Sequence, residues 1–381
     1  MYEMKIIVDE NIAYGEEAFS EFGTVLLYSG RKISNKILRD ADALIIRSVT
    51  KVDEKLLDGT NVKFVGTATI GTDHLDKNYL NKNGILFANA PGCNSFAVAE
   101  YITVSLINAA ISKNISLQNK SLGIIGYGNI GTKVDRFAKL LGMKTLINDP
   151  PLKKNADENK FSTLKNALKC YAVTFHVPLN KTGEYKTVHL LNEGNIDLIR
   201  QDAILLNTSR GQVVDNKSAF KKLVNTTGIF SVFDVWENEP EINTDLLNAV
   251  NIATPHIAGY SFEGKVNGTI AIHEALADFL NVAPKWKPKM PAVENSTFTV
   301  DIQEPFEQIL NKIFQIVFPQ YNDDALLRKS LLMDTEGRKK YFDDLRKNYR
   351  LRREFTNYTI KLNIFNAELK RKLEGLRFKV E

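Results

Sequence analysis

Residues 122–131, with the sequence LGIIGYGNIG, carry the clearest structural signal in this chain. An apolar run leads directly into three glycines spaced G-x-G-x-x-G, and a helical pattern follows. In such a unit Gly126 permits the tight turn, Gly128 lets the backbone approach a pyrophosphate, and Gly131 allows the helix to pack on the strand. The helix N-terminus then faces the anion. The stretch predicts a dinucleotide-binding unit; a purely structural glycine turn is the alternative.

An acidic residue stands where such a unit contacts the ribose of its ligand. Asp149 lies 18 residues beyond Gly131, at the end of the apolar strand pattern MKTLIN. Its carboxylate can accept hydrogen bonds from the adenosine ribose diol and repel a 2′-phosphate, which favours NAD over NADP. Lys153 and Lys154 follow closely and work against that preference.

Short apolar runs alternate with helical patterns on both sides of this unit. Three strands are predicted within residues 4–8, 43–49 and 62–68, and a long apolar helix near 95–112. Six more are predicted within 122–128, 143–149, 170–177, 203–209, 229–236 and 250–256. Two successive strand–helix series predict an α/β protein with two Rossmann-like parallel-sheet domains. Beyond a helix near 261–280 and a proline-containing linker, charged helices predict a third, smaller α+β unit.

The composition limits what the chain binds. A formal charge of +5, with 44% hydrophobic and 25% charged residues, is typical of a globular protein and favours a small anionic ligand over nucleic acid. The longest apolar window, 97–111, contains Glu100 and is too short for a bilayer, so no membrane partner is predicted. Two cysteines, Cys93 and Cys170, and no visible signal peptide favour a reducing, cytoplasmic location. No metal site is predicted.

Three polar residues follow three successive predicted strands. Arg210, in NTSRG, can bind a carboxylate through two hydrogen bonds from its guanidinium group. Glu239, in DVWENEP, can orient an imidazole and stabilise its protonated form, and His256, in TPHIAG, can remove a hydroxyl proton. Because the carboxyl ends of parallel strands share one edge of a sheet, the three are predicted to converge. The alternative is three unrelated surface charges, since a lone histidine is more often structural.

Together these motifs resemble the D-2-hydroxyacid dehydrogenases. The resemblance rests on GYGNIG, NTSRGQVVD, DVWENEP and TPHIAGY. It implies that Arg210, Glu239 and His256 are the catalytic set and that the cofactor is NAD. The implied domains are 1–97 plus 259–284 for substrate, 98–258 for NAD and 285–381 for dimerisation. The alternatives are a relative that acts on another acid, such as 3-phosphoglycerate, and a nicotinamide-sensing binding protein.

The N-terminal and C-terminal stretches narrow the resemblance to members that act on a phosphorylated 2-hydroxy acid. VDENIAY, GTATIGTDHLD and FDDLRKNYRLRREF carry it, over roughly residues 4–359. It implies oxidation of 4-phospho-D-erythronate, with Ser48, Thr69 and Tyr260 as substrate contacts, although Ser48 and Thr69 alone are better explained as turn caps. The implied cofactor contacts are Gly126, Gly128, Asn129, Ile130, Gly131, Asp149, Val177, Asn207, Thr208, Ser209, Arg210, Asp234 and Gly259.

Two cationic positions are candidates for binding the phosphate of that substrate. Arg47 lies next to Ser48, and Arg346 lies in the charged run 342–353. If the C-terminal unit forms a homodimer, Arg346 is expected to enter the partner's cleft and bind phosphate there. The alternative is that the run is a solvated helix face. The last twenty or so residues do not resemble the family, and the sequence assigns them no role.

Overall fold

The computed structural model describes residues 4–154 and 160–381, and the chain packs into two compact units. The first unit comprises residues 1–94 and 260–292, and the second comprises 95–259 and 293–381. Residues 293–381, called the C-terminal segment below, therefore pack with the predicted nucleotide-binding part of the chain. A separate third domain that begins at residue 285 stays a prediction.

Strands and helices alternate along most of the described chain. The strands are β1 (Met4–Asp9), β2 (Gly23–Tyr28), β3 (Ala43–Ile46), β4 (Phe64–Thr67), β5 (Leu86–Asn89), β6 (Ser121–Ile125), β7 (Lys144–Asn148), β8 (Ala172–Phe175), β9 (Ile204–Asn207), β10 (Phe230–Phe233), β11 (Ile252–Ala253), β12 (Thr297–Val300), β13 (Thr359–Leu362) and β14 (Lys379–Val380). The helices are α1 (Gly15–Phe19), α2 (Asn35–Leu38), α3 (Glu54–Leu57), α4 (Lys77–Lys82), α5 (Ser95–Lys113), α6 (Gly131–Leu140), α7 (Pro150–Lys153), α8 (Leu164–Leu168), α9 (Asn216–Val224), α10 (Thr244–Ala249), α11 (Phe262–Leu280), α12 (Phe306–Val317), α13 (Gln320–Arg328), α14 (Thr335–Lys347) and α15 (Ala367–Gly375). Helices α7 and α8, and helices α12, α13 and α14, follow one another without a strand between them among the described residues.

Polar side chains determine where many of these helices begin. Each accepts a hydrogen bond from a backbone N–H of the first turn, which satisfies a donor that has no partner inside the helix. These N-cap residues are Asp53, Asp76, Asp149, Thr163, Asp215, Asn243, Ser261, Asp334 and Asn366.

The first unit is built on a parallel sheet that has five strands among the described residues, in the order β2-β1-β3-β4-β5. The sequence predicts β1, β3 and β4, whose residues are almost all buried. It misses β2 and β5, which are the two edges. Edge strands are covered on fewer sides, so their residues are partly exposed and form no continuous buried run.

The second unit contains a six-stranded parallel sheet, counted over the described residues, in the order β11-β10-β9-β8-β6-β7. The chain starts at β6, adds β7 on one side and then continues from β8 on the other. The strand order reverses between β6 and β8, which is where open parallel sheets bind ligands at their carboxyl edge. The two predicted parallel sheets are confirmed.

Helix α5 is longer than the apolar window suggests. Its 19 residues are long and apolar enough to cross a membrane, so the expectation that the stretch is too short was wrong. In this protein 83% of its most apolar window is buried inside the fold, as in a core helix. Its buried Glu100 accepts hydrogen bonds from the backbone N–H of Phe355 and from Arg377. Burial raises the pKa of Glu100 well above its usual value, and neighbouring Glu354 adds to the shift.

The C-terminal segment forms a small parallel sheet with the order β12-β13-β14 among the described residues. The last twenty residues, which had no role in the sequence prediction, supply α15 and β14. Leu373, Leu376 and Phe378 from this stretch are buried. Arg377 adds ion pairs to Glu354 at 2.7 Å and to Glu100 at 3.3 Å. The end of the chain is therefore anchored to α5.

The charged run 342–353 is not one solvated helix face. Helix α14 ends at Lys347, and the chain then turns inward, so that Arg352 and Arg353 are only 2% and 5% exposed. Hydrogen bonds to oxygen atoms accompany this burial: Arg353 donates to the side chain of Asn357 at 2.9 Å, and Nη2 of Arg352 donates to the carbonyl of Ala258 at 2.7 Å. A helix-face interpretation of these two arginines was wrong.

Candidate active site

The three glycines of the loop after β6 serve three different purposes. Gly126 has φ of +96°, and a Cβ there would lie 2.7 Å from the carbonyl of His176. A Cβ on Gly131 would overlap the carbonyl oxygen of Gly126, so the helix packs directly on the turn. A Cβ on Gly128 would meet no atom within 4 Å. The open position is the one at which a pyrophosphate is expected to approach the backbone, so the loop fits a dinucleotide.

Asp149 lies against this loop. One of its carboxylate oxygens accepts from the backbone N–H of Tyr127 at 2.8 Å, and the other caps α7. Of the two lysines that weighed against NAD, Lys154 forms an ion pair with Glu184 at 2.9 Å. The charge of Glu184 thereby offsets part of the attraction of Lys154 for a 2′-phosphate. The ribose contact itself stays a prediction for Asp149.

The segment after β9 and the end of β8 carry polar atoms that suit a polar ligand. Ser209 donates to the side chain of Asn207 through both its backbone N–H and its hydroxyl, which fixes the turn. Within the described part of the chain, the hydroxyl of Thr208 and Nδ1 of His176 are buried without a hydrogen-bond partner. Burial lowers the pKa of His176 to about 3, so this ring is neutral. These two atoms are free to form hydrogen bonds with a bound dinucleotide. The backbone nitrogen of Val177 also lies close to Gly126, in the glycine loop.

Glu239 and His256 form the predicted pair. Nδ1 of His256 lies 2.7 Å from one carboxylate oxygen of Glu239, and the other oxygen accepts from the backbone N–H of Trp236 at 2.9 Å. Burial raises the pKa of Glu239, but the charges of His256 and Arg346 and these hydrogen bonds outweigh it and hold the pKa below the usual value. Glu239 is therefore an anion that orients the imidazole through Nδ1.

Arg210 lies on a loop that packs against the loop of Glu239. A Cβ on the next residue, Gly211, would overlap the backbone carbonyl of Trp236, so the two loops touch there. Arg210 is partly exposed, and its Nη1 donates to the carbonyl of Ser209 at 2.8 Å. The loops after β9, β10 and β11 are thus joined: the first contacts the second through Gly211, and the second binds the third through the Glu239–His256 pair.

Asp234 organises the loop that carries His256, a role that sequence reasoning missed. It is 1% exposed, and its carboxylate accepts from the hydroxyl of Thr254 at 2.6 Å and from the backbone N–H groups of Ile257 at 2.7 Å and Ala258 at 2.9 Å. Burial raises its pKa, which the charge of His256 and these three donors oppose. The motif DVW placed Asp234 at a strand end, but no local pattern shows that its donors lie 20 to 24 residues later. A contact with the cofactor stays a prediction.

The candidate substrate residues of the first unit lie after neighbouring strands. Ile46 and Thr67 are register partners at the ends of β3 and β4, so Ser48 and Thr69 follow at equivalent positions. Thr69 shares a hydrogen bond with the hydroxyl of Thr67 at 2.9 Å. The ring of Tyr260 lies 4.9 Å from the ammonium of Lys265. The substrate contacts of these three candidates stay predictions.

Arg47 has a structural partner. Its Nε and Nη2 bind the two carboxylate oxygens of the fully buried Asp9 at 3.1 and 3.3 Å. Such a fork-to-carboxylate pair already uses the charge and geometry that a phosphate would need. The structure therefore supports Arg47 as a partner of Asp9 more directly than as a phosphate ligand.

Arg346, near the end of α14, acts electrostatically on Glu239 of its own chain. Its positive charge is among the causes that lower the pKa of Glu239. The expectation placed Arg346 in a partner's cleft, yet the fold brings its charge to Glu239 within one chain. Arg346 can therefore influence Glu239 without entering the cleft of a partner subunit.

Comparison with known families agrees with this geometry. Residues 105–258 match the family model described as the NAD-binding domain of the D-isomer-specific 2-hydroxyacid dehydrogenases. Residues 290–376 match a model described as a domain of unknown function (DUF3410).

Relatives named erythronate-4-phosphate dehydrogenase are similar over nearly the whole chain. The protein of Proteus mirabilis is 41% identical over 359 residues, which are 94% of each chain. The protein of Hahella chejuensis is 40% identical over 380 residues, 98% of this chain and 99% of its own. That of Salmonella arizonae is 44% identical over 360 residues, 93% of each chain.

Solved structures share the fold. The NAD⁺-bound 3-phosphoglycerate dehydrogenase of Entamoeba histolytica superposes with a TM-score of 0.63 at 24% identity, over 74% of this chain and 96% of its own. The D-lactate dehydrogenase of Aquifex aeolicus, complexed with NAD and lactic acid, gives 0.59 at 24% identity, over 73% of this chain and 95% of its own.

The glycine loop yields a prediction with an internal control. Gly128→Ala should leave the melting temperature unchanged, because its methyl group meets no protein atom, and should weaken NAD binding by occupying the space of the pyrophosphate. Gly131→Ala should lower the melting temperature, because its methyl group overlaps the Gly126 carbonyl. Thermal unfolding and titration with NADH measure both effects. Unchanged NADH affinity in Gly128→Ala would remove this glycine from the cofactor site.

Proposed function

This chain belongs to the erythronate-4-phosphate dehydrogenase family of D-isomer-specific 2-hydroxyacid dehydrogenases, and we propose that it oxidises 4-phospho-D-erythronate at C2. The chain is an NAD-dependent dehydrogenase. The product is 3-hydroxy-2-oxo-4-phosphooxybutanoate, formed with NADH and one proton, as a step towards pyridoxal 5′-phosphate. The observation that carries the proposal is the Glu239–His256 pair at 2.7 Å, which lies in the same compact unit as a loop that fits a dinucleotide.

We propose that His256 is the base. When Nδ1 carries its proton and donates to Glu239, the other ring nitrogen, Nε2, is left as an acceptor. Nε2 removes the proton of the C2 hydroxyl while the carbon–oxygen double bond forms. The imidazole then becomes a cation, which the ionised Glu239 stabilises at short range. Bound NAD supplies the acceptor for the hydride that leaves C2.

We propose that Arg210 binds the substrate carboxylate and stabilises negative charge on the C2 oxygen. A guanidinium group binds a carboxylate through two parallel hydrogen bonds, which fixes its orientation as well as its position. Gly211 lets the backbone of this loop approach the loop of Glu239 closely. The residues from Asn207 to Ser209, with Asp149, Val177, Asp234 and Gly259, stay proposed cofactor contacts.

We propose that Arg346 binds the 4-phosphate. A phosphate with close to two negative charges needs a cation in addition to the one that holds the carboxylate. Arg346 already acts on Glu239, so its charge lies near the reacting end of the site. Arg47, which is paired with Asp9, is the weaker candidate.

We also propose that the protein is a cytoplasmic homodimer that assembles through the C-terminal segment. Half of the fourteen exposed large apolar side chains of the described residues lie there, and burial of such side chains between two copies of the chain would stabilise a dimer. They are Ile316, Tyr321, Leu326, Leu332, Leu351, Ile364 and Phe365. Sedimentation equilibrium measures this assembly directly.

Formation of NADH from different acids tests the proposed function. Wild-type protein should form NADH from 4-phospho-D-erythronate far faster than from D-erythronate or 3-phosphoglycerate. His256→Ala should lower the rate by about 10²–10⁴ while NADH binding is retained, since only the base is lost. Faster turnover of 3-phosphoglycerate would identify a different dehydrogenase. NADH binding without turnover of any acid would identify a sensing protein.

Glu239→Gln should move the acidic limb of the kcat/KM profile to lower pH by about one unit or more. The carboxylate stabilises the protonated imidazole, and the neutral amide of glutamine does not. Glu237→Gln is the matched control, because Glu237 forms a similar pair with His189 at 2.6 Å. A Glu239→Gln profile that coincides with the control would show that Glu239 does not support the base.

Arg346→Ala should raise KM for 4-phospho-D-erythronate more than KM for D-erythronate, because only the first substrate carries the phosphate. Lys347→Ala, an exposed neighbour on the same helix, should change neither KM. Steady-state kinetics with saturating NAD give both values. Equal increases of KM for the two acids would show that Arg346 does not bind the phosphate.

A further inference from the structure

Arg352 is a buried cation at the base of the loop that carries His256. It is 2% exposed and lies in the segment between α14 and β13. Its Nη2 donates to the backbone carbonyl of Ala258 at 2.7 Å and to that of Ala97 at 3.3 Å. Its guanidinium carbon lies 4.3 Å from the centre of the Phe318 ring. One arginine of the C-terminal segment is thus bonded to both the His256 loop and the first turn of α5.

Both backbone polar groups of Ala258 form hydrogen bonds to buried side chains. Its N–H donates to Asp234, and its carbonyl accepts from Arg352. His256, two residues earlier, has φ of 56°, in the left-handed region that side chains other than glycine rarely adopt. A residue in that region keeps its conformation only when the surrounding bonds determine it. The two hydrogen bonds at Ala258 fix the end of the loop and so help to keep His256 in this conformation.

We propose that Arg352 is a positioning residue that keeps His256 aligned for proton removal. It does so through the Ala258 carbonyl and touches neither the substrate nor the cofactor. The proposal rests on the proposed function, because the alignment matters only if His256 is the base. It gives the C-terminal segment a part in catalysis that is separate from dimerisation.

The hydrogen-bond inventory of Arg352 supports this role over simple packing. In the part of the chain that the structure describes, its Nε and Nη1 are buried without hydrogen-bond partners. Buried donors of this kind cost free energy, and an apolar side chain of similar volume would avoid that cost. Such a side chain would, however, leave the carbonyl of Ala258 without this donor. An apolar residue cannot replace the hydrogen bond from Arg352 to the Ala258 carbonyl.

Arg352→Met tests the proposal, since it removes the donors and keeps much of the apolar stem. Arg328→Met is the matched control. Arg328 also belongs to the C-terminal segment and donates to two backbone carbonyls, those of Leu247 at 2.8 Å and Val250 at 2.7 Å, which lie at the end of α10. Arg352→Gln, whose side chain is too short to reach the Ala258 carbonyl, replaces Arg352→Met if that variant does not fold. Arg352→Lys keeps a donor of similar length and should recover part of the loss.

Two readouts on the full-length variants separate positioning from stability. The first is kcat with NAD and 4-phospho-D-erythronate, and the second is the imidazole NMR signal of His256, assigned by its absence in His256→Ala. Arg352→Met should lower kcat roughly ten- to a hundredfold through misalignment of the base, and should shift the His256 signal. Arg328→Met should lower the melting temperature without changing either readout. NADH affinity should be the same in both variants.

Wild-type kcat and an unshifted His256 signal in Arg352→Met, or in Arg352→Gln where that variant replaces it, would overturn the proposal. So would equal changes in Arg328→Met at an equal loss of melting temperature. Failure of the wild-type protein to form NADH from 4-phospho-D-erythronate would contradict the proposed function instead. The NMR comparison needs no substrate, so it still decides whether Arg352 positions His256.

Discussion

The carboxylate of Asp234, buried at the end of β10, fixes the loop on which the proposed chemistry depends. It accepts one hydroxyl and two backbone hydrogen bonds from residues 254–258, and its own backbone carbonyl accepts from His256 at 2.7 Å. Hydrogen bonds to a charged group contribute about 1.5–3 kcal/mol each, and a buried carboxylate without them would be strongly unfavourable. The loop and the carboxylate therefore stabilise each other. Replacement of Asp234 would release the backbone conformation that directs His256 towards Glu239.

The support of this loop extends into the C-terminal segment. Arg352 holds the Ala258 carbonyl, and Arg377 pairs with Glu354 and with Glu100 of α5. These contacts come from residues more than 90 positions after the loop itself. The C-terminal segment is thus part of the packing that surrounds the proposed site. This packing explains why one compact unit contains both the C-terminal segment and the loop of His256.

Much of the fold and the site follows from local sequence. The glycine loop, the buried strands and the Glu239–His256 pair were predicted from short patterns, because backbone geometry and strand-end position depend on neighbouring residues. The edge strands β2 and β5 were not, since partial exposure removes the apolar run that identifies a strand. The pairing of Arg47 with Asp9 and the burial of Arg352 also escaped prediction. Both depend on partners 38 and 94 residues away, respectively, and a charged side chain shows no local sign of such a partner.

In the proposed reaction, hydride leaves C2 of the substrate for NAD while His256 takes the hydroxyl proton. Incubation of the protein with NAD and 4-phospho-D-erythronate deuterated at C2, followed by mass spectrometry and NMR of the NADH, tests this transfer directly. The NADH should carry one deuterium at C4 of the nicotinamide ring. Unlabelled NADH, or no NADH at all, would contradict it.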